Sequence, residues 1–478
     1  MAKTIFKKIK IILFYFLLAT ALALFFSYKI LDVPMGLTAD ETALGYNATL
    51  LSKTGHDENG RVMPIFVLSN DGVDWKQPVP QYYITLLFKI FSPSIFLLRF
   101  SSVIITIISV FLIFKLSQNE NHHKFYFFTA FLFLTTPLIM IQSHMGLDNI
   151  IPIPFTIIWL LFLFRYDKSH KNKFLIISAI SLGITFYTYK GMRAVFPIWY
   201  LLSLIYLIKP KIKLFPLFIF SCFSLPFILI SPFLNHLYPG SILGGVGVKF
   251  DSIYNFMYPY LSSFDPTFLF IKGDDTLYHS TGIHGMFLLS TLPIFLIGIY
   301  TSISKNKNSR FLLTAFFFGP LLYGTVNSIH RASRLMCLIP IYVLICTNGL
   351  IYLKSILNKY YILAISLLII LMTLNYFSFL SYYYSTYAKL TFSIVGDLKE
   401  YTSFKYLSQQ SKKLNLTPYV AKNISKPFYE AIYFPNGIKE IHEDLTPPSG
   451  SILLTNREDI DSMVNIKAPI DYYQIQIN

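Results

Sequence analysis

Eleven mostly apolar runs, several of them close to twenty residues long, recur along this 478-residue chain and constrain it more than anything else it contains. A bilayer core of about 30 Å is crossed by about 20 residues of α-helix, and a helix satisfies its own backbone groups in hydrocarbon. The runs fall at roughly 11–31, 95–117, 125–142, 149–164, 174–189, 194–208, 214–231, 285–302, 311–325, 335–352 and 362–381. The first contains the small-residue pattern ALALFF, but its apolar stretch is too long for a usual signal peptide and reads as an anchor. Charged residues are only 13% of the chain, against about a quarter in soluble domains. A soluble enzyme is therefore excluded. Cys222, Cys337 and Cys346 all lie inside apolar runs, so they form neither a disulfide framework nor a zinc cluster.

The net charge of +16 would suggest a nucleic-acid partner in a soluble protein. Here it follows from orientation. With the N-terminus cytoplasmic, the inner segments are 1–10, 115–124, 165–173, 209–213, 303–310 and 353–361, and they hold 18 Lys and Arg against Glu120 and Asp167. That is the positive-inside pattern, and the inner segments alone account for the whole +16. No nucleic-acid partner is implied. Two long loops, 32–94 and 232–284, face outward together with the tail from 382. The reading is a multi-pass all-α membrane domain over 1–381 and a small outer α/β module over 382–478. In that module an aromatic stalk, SYYYSTYAKL, precedes a predicted amphipathic helix near 395–413 and strands near 417–423 and 451–455.

The polar residues that suggest chemistry cluster at the outer surface. Asp40 and Glu41 follow the first run, in LTADETALGYNATLLSKTGHDENGRVMP, with Asp57 and Glu58 about one short helix later. A carboxylate at a membrane–water boundary can take a proton from an attacking hydroxyl, worth about 10²–10⁴ in rate; the same acids also suit the first turn of a helix. Basic residues on the outer side run against the orientation rule. Lys76 lies in the first outer loop, Lys190 and Arg193 in YTYKGMRAVFP, and His330, Arg331 and Arg334 in IHRASR. Such groups bind phosphate through charge-assisted hydrogen bonds, or snorkel to lipid headgroups. In FLFIKGDDTLYHSTGIHG, Asp274, Asp275, His279 and Ser280 line an acceptor side or form a solvated loop. Asn47, Asn415 and Asn423 begin N-x-[ST] sequons.

Four stretches, ADETALGYNA with TGHDENGRVMP, then YTYKGMRAVFP, then FLFIKGDDTLYHSTGIHG, then IHRASR, resemble the polytopic glycosyltransferases that use polyprenyl-phosphate sugars. These include the dolichyl-phosphate-mannose–protein mannosyltransferases and the bacterial lipid A aminoarabinose transferases. The resemblance implies a C-type glycosyltransferase fold in the bacterial cytoplasmic membrane, with the active site outside. It implies Asp40 as the catalytic base, Lys76 as a contact to the donor phosphate, and Arg193 as the arginine ending the YTY segment. The partners implied are a lipid-linked sugar donor, a hydroxyl acceptor and membrane lipid. The chain departs from the pattern in three places. WKQPVP has Gln77 where a Pro-Pro pair is usual, and Trp75 stands where some relatives hold a metal with glutamate, so no cofactor is assigned and a divalent metal is in doubt. SHMGLDN lacks a common arginine, leaving His144 and Asp148 as substitutes or no contact at all. A carrier or flippase for lipid-linked sugars would use the same basic residues, although internal repeats and ionisable groups within the spans, which carriers commonly show, are scarce here.

Overall fold

The computed structural model describes residues 2–70, 72–120, 125–208, 214–242, 252–326, 329–391, 398–457, 464–466 and 474–477. The inner segment 209–213, part of the second outer loop (243–251) and residues 395–397 of the expected tail helix lie outside them. In chain order, α1 (Ala2–Ser27) leads to a loop segment holding α2 (Ala39–Thr54), the hairpin β1 (Val67–Ser69) and β2 (Asp74–Lys76), and α3 (Pro78–Ile90). Next come α4 (Ile95–Asn119), α5 (Tyr126–Leu134), α6 (Pro137–Ser143), α7 (Pro152–Ser169), α8 (Asn172–Thr185), α9 (Met192–Leu207) and α10 (Leu214–Leu229). The second loop segment holds α11 (Ser231–Leu237) and α12 (Ile253–Ser262), followed by α13 (Leu292–Ser304) and α14 (Lys307–Phe318). The short α15 (Ala332–Leu335) then precedes α16 (Ile339–Leu357), α17 (Tyr361–Tyr382) and α18 (Ala388–Thr391).

Every expected apolar run contains a helix, but the helices are unequal. Among the described residues, four stretches are long and apolar enough to cross a membrane: Ile95–Asn119, Asp148–Ser169, Leu214–Leu237 and Ala332–Thr391. A fifth joins them if α5 and α6, bent by 59°, form one broken span. The break falls just before Pro137, which has no N–H to continue the ladder and disfavours helical geometry at Thr136. Further apolar helices, including Asn172–Thr185 and Met192–Leu207, are 10–17 residues long. The bundle packs around stacked indoles, Trp159 on Trp199 at 4.8 Å. Both buried N–H groups are satisfied, Trp159 donating to Ser203 Oγ at 3.1 Å and Trp199 to the Ala315 carbonyl at 3.0 Å.

The two ends of the bundle differ. At the basic end, the only acids of the expected inner segments are both engaged within the fold. Glu120 Oε2 accepts from Asn308 Nδ2 at 2.6 Å, and Asp167 Oδ1 lies 3.4 Å from Lys307 Nζ. At the other end, the aromatic stalk closes the bundle. Tyr383 and Tyr387 are buried and stacked at 5.0 Å, and Tyr387 donates to the Leu277 carbonyl at 2.6 Å.

The tail starts with α19 (Leu398–Leu414), β3 (Thr417–Ala421) and α20 (Pro427–Tyr433). It ends in β4 (Lys439–Ile441), β5 (Ser451–Thr455), β6 (Val464–Ile466) and β7 (Gln474–Ile477). The sheet order is β4-β3-β5-β7-β6, parallel across β4-β3-β5 and antiparallel beyond. Its core is shared with the membrane domain. Phe404, Val420, Phe428 and Tyr429 form one cluster with Leu44, Ala48, Ile84 and Phe88 of α2 and α3. Burying a Phe of this kind is worth about 1.5–3 kcal/mol.

Gly45 is where the fit is tightest, since a Cβ added there would overlap the Phe428 ring. Substitution Gly45→Leu should therefore unseat the tail from α2. Limited proteolysis of the purified protein would show it, with a tail fragment released faster than from wild type; equal rates would mean the slot is not what seats the tail.

Candidate active site

Strand periodicity builds the centre of this site. Successive side chains of a strand point to opposite faces, so in β2 the side chains of Asp74 and Lys76 share one face and Trp75 takes the other. Val67 pairs with Lys76 and Ser69 with Asp74, and the connecting turn uses positive φ at Asn70 and Gly72. Trp75 packs edge-on against Tyr238 at 5.7 Å and donates from Nε1 to the Pro239 carbonyl at 3.0 Å.

On the opposite face runs a ladder of alternating charge. Lys76 Nζ lies 2.5 Å from Asp40 Oδ1 and 2.9 Å from Asp74 Oδ2, while Asp74 Oδ1 accepts from Lys190 Nζ. Lys76 is its buried member, the side chains being 4% exposed at Lys76 and 61% at Asp40. Burial works against the Lys76 charge, but Asp40 and Asp74 outweigh it and raise its pKa. Burial likewise works against the Asp74 charge, and Lys76 with Lys190 outweighs it, lowering that pKa. The central pair is thus charged throughout the neutral range. Asp148, where α7 is approached, feels the charges of Asp40, Lys76, Asp74 and Lys190.

Glu41 differs from its neighbour. The expectation paired it with Asp40 as a catalytic acid, but its side chain is 0% exposed and held by Arg99, itself 1% exposed. Arg99 Nε donates to Glu41 Oε1 at 2.9 Å, and the guanidinium also donates to the carbonyls of Ile30 (2.8 Å), Pro34 (2.7 Å) and Gly36. Glu41 further accepts from Gly146 N (2.9 Å) and closes a capping box with Thr38 at the start of α2. Its oxygens are spent on fastening, so it positions Asp40 instead of sharing its exposure.

The other expected residues divide in the same way. Asp57 Oδ1 accepts from Asn59 N (3.0 Å) and Arg61 N (2.8 Å), closing the turn after α2. Glu58 and Asn47 exchange two hydrogen bonds of 3.0 Å, which buries the first sequon asparagine. Arg193 was expected to contact phosphate. Its guanidinium instead donates to Gln77 Oε1 and to the carbonyls of Ser241 (2.8 Å) and Ile242, so the departure at Gln77 supplies an acceptor that a proline could not.

Bases and acids expected on two different sides meet each other. His330 Nε2 lies 3.1 Å from Asp265 and Nδ1 3.5 Å from Asp275, while Arg331 lies 3.9 Å from Asp274. Asp274 is buried and accepts from Ala332 N at 2.6 Å, which pins IHRASR to the second loop. Ser280 Oγ donates to the Lys272 carbonyl at 2.9 Å, within the same loop. His279 Nδ1 lies 2.9 Å from Gln142 Nε2. Burial holds its imidazole below the usual range, with Asp274 opposing, Arg331 adding to the shift and Asp40 opposing it from across the loop.

The corner Tyr189–Gly191 unites two basic segments. Lys190 reaches Asp74, Tyr189 Oη contacts Ser333 Oγ at 3.3 Å, and Arg334 passes close beside Gly191. Among the described residues no group of three or more His, Cys, Asp and Glu is arranged to hold a metal ion. His144 is buried, its Nδ1 2.9 Å from the Val33 carbonyl.

Residues 76–236 match the family model described as dolichyl-phosphate-mannose-protein mannosyltransferase. No curated protein matches the chain at the level of sequence. Among solved structures, ArnT from Cupriavidus metallidurans in the apo state superposes with a TM-score of 0.58 at 11% identity, covering 97% of each chain. The chain shares the fold of ArnT. The same ArnT bound to undecaprenyl phosphate gives a TM-score of 0.57 at 10% identity, again over 97% of each chain. The likeness in fold therefore extends through the tail module as well as the helical bundle.

Proposed function

We propose that this protein is a membrane glycosyltransferase that moves a sugar from a polyprenyl-phosphate donor to a hydroxyl acceptor at the loop-rich end of the bundle. The observation that carries the reading is the ladder Asp40–Lys76–Asp74–Lys190, which sets an exposed carboxylate against ammonium groups beside apolar helices. The lipid tail would stay in the bilayer while the phosphate meets Lys76 and Lys190, with Arg334 close by. Asp40 would take the proton from the acceptor hydroxyl as its oxygen bonds to the anomeric carbon. The bond from that carbon to the phosphate oxygen breaks in the same displacement, and its electron pair leaves with polyprenyl phosphate. Attack from the face opposite the leaving phosphate inverts the anomeric centre. Lys76 and Lys190 would stabilise the charge that builds on the leaving group, the electrostatic contribution that is usually largest in group transfer. Asp148 adds a second carboxylate within the field of the same charges.

The likeness to ArnT, one of whose structures holds undecaprenyl phosphate, supports the donor class. The test is direct: purified protein incubated with radiolabelled polyprenyl-phosphate sugars and candidate hydroxyl acceptors should release polyprenyl phosphate as labelled glycoside forms. Translocation of the labelled lipid in vesicles without bond cleavage would refute the transferase reading and favour a carrier.

A further inference from the structure

Asp74 stands between two ammonium groups, one oxygen on each, as a phosphate binds cations through separate oxygens. We propose that Asp74 is a built-in stand-in for the donor phosphate, keeping Lys76 and Lys190 poised, yielding them when the lipid phosphate arrives, and reclaiming them to expel the product. This deepens the transferase reading and rests on it.

Three observations carry the inference. First, the exchange needs little movement. Trp75 anchors β2 from the opposite face through Tyr238 and the Pro239 carbonyl, so the Asp74 side chain can turn aside while the strand stays in place. Second, the exposures are graded in the right sense: Asp74 is 31% and Lys190 37% exposed, against 4% for Lys76. The carboxylate and the outer lysine are within reach of an incoming anion, and the inner lysine is uncovered as Asp74 turns aside. Third, Lys76 also holds Asp40. When Lys76 turns to the phosphate, Asp40 loses that hydrogen bond and has its lone pairs free for the acceptor hydroxyl. Donor binding then readies the base.

The chemistry of the two lipids gives this exchange a purpose. The donor is a phosphodiester with one negative charge, while a phosphate monoester carries about −1.5 to −2 at neutral pH. A site made only of cations would hold the product more tightly than the donor and stall on it. A competing carboxylate inside the site offsets that difference.

The test uses the full-length protein in detergent with undecaprenyl phosphate as the probe. Asp74→Asn keeps the shape and removes the charge, so it should bind the probe about tenfold more tightly than wild type, equivalent to about 1.4 kcal/mol. With a sugar donor, KM and kcat should fall together, and added undecaprenyl phosphate should inhibit more strongly. A purely structural role would lower kcat or raise KM without tightening the product.

Equal or weaker binding by a folded Asp74→Asn protein overturns the proposal. Should Asp74→Asn fail to fold, Asp74→Glu decides: it retains the charge and should show no tightening, and tighter binding would refute the idea. If Lys76→Met leaves probe binding at the wild-type level, or wild type binds none, the transferase reading itself fails and this inference falls with it.

Discussion

Replacing Asp40 by Asn is expected to lower turnover by about 10²–10⁴, the usual worth of a placed general base, while undecaprenyl phosphate still binds. The amide keeps the size of the side chain but cannot accept the acceptor hydroxyl's proton. Because Lys76 retains Asp74, its ammonium stays partnered in the variant and the phosphate side of the site survives. Binding and turnover should therefore part company in Asp40→Asn, and both should collapse in Lys76→Met. Release of labelled polyprenyl phosphate measured beside probe binding separates the two. Near-normal release by Asp40→Asn would remove Asp40 from the chemistry and leave Asp148 as the carboxylate to examine.

The second large effect is structural. Substitution Arg99→Met should destabilise the protein by about 3–5 kcal/mol, because it leaves Glu41 as a buried charge without its partner. The carbonyls of Ile30, Pro34 and Gly36 would lose their donor at the same time. Thermal unfolding in detergent would show a marked fall in Tm. Adding Glu41→Gln should recover part of it, since the two residues share one network and their effects are not additive. An Arg99→Met protein with unchanged Tm would mean that the pair does not fasten α2.

Much of this arrangement is legible in the residues. The apolar runs mark the helices. The order of ADETALGYNA, YTYKGMRAVFP and IHRASR carries the C-type resemblance that the fold bears out. Arg99 escaped notice because it lies inside an apolar run, where it reads as an interruption. A lone arginine near the end of such a run is itself a signal, since a buried guanidinium must find an acid. Asp74 was overlooked for the opposite reason: acids are common in loops, and only the register of β2 shows that this one faces the lysines.

The separate fates of Asp57, Glu58, Asp274 and Asp275 could not be read from sequence. Fastening a turn and meeting a substrate call for the same residue types, and only the partners distinguish them. The same holds for Arg193, whose strap to residues 241 and 242 joins segments far apart in the chain.

The slot in α2 that receives Phe428 has a consequence for biogenesis. The helix bearing Asp40 is made about 380 residues ahead of the ring that fills its slot, Gly45 and Phe428 lying that far apart in the chain. At ~5–20 residues per second, that helix waits roughly 20–80 s for its partner. Until then α2 packs against α3 and α4 without the Phe428 ring, so the loop bearing Asp40 is completed by a segment that emerges much later. Nascent chains stopped short of the tail would carry every proposed reacting side chain and still lack the buttress behind them.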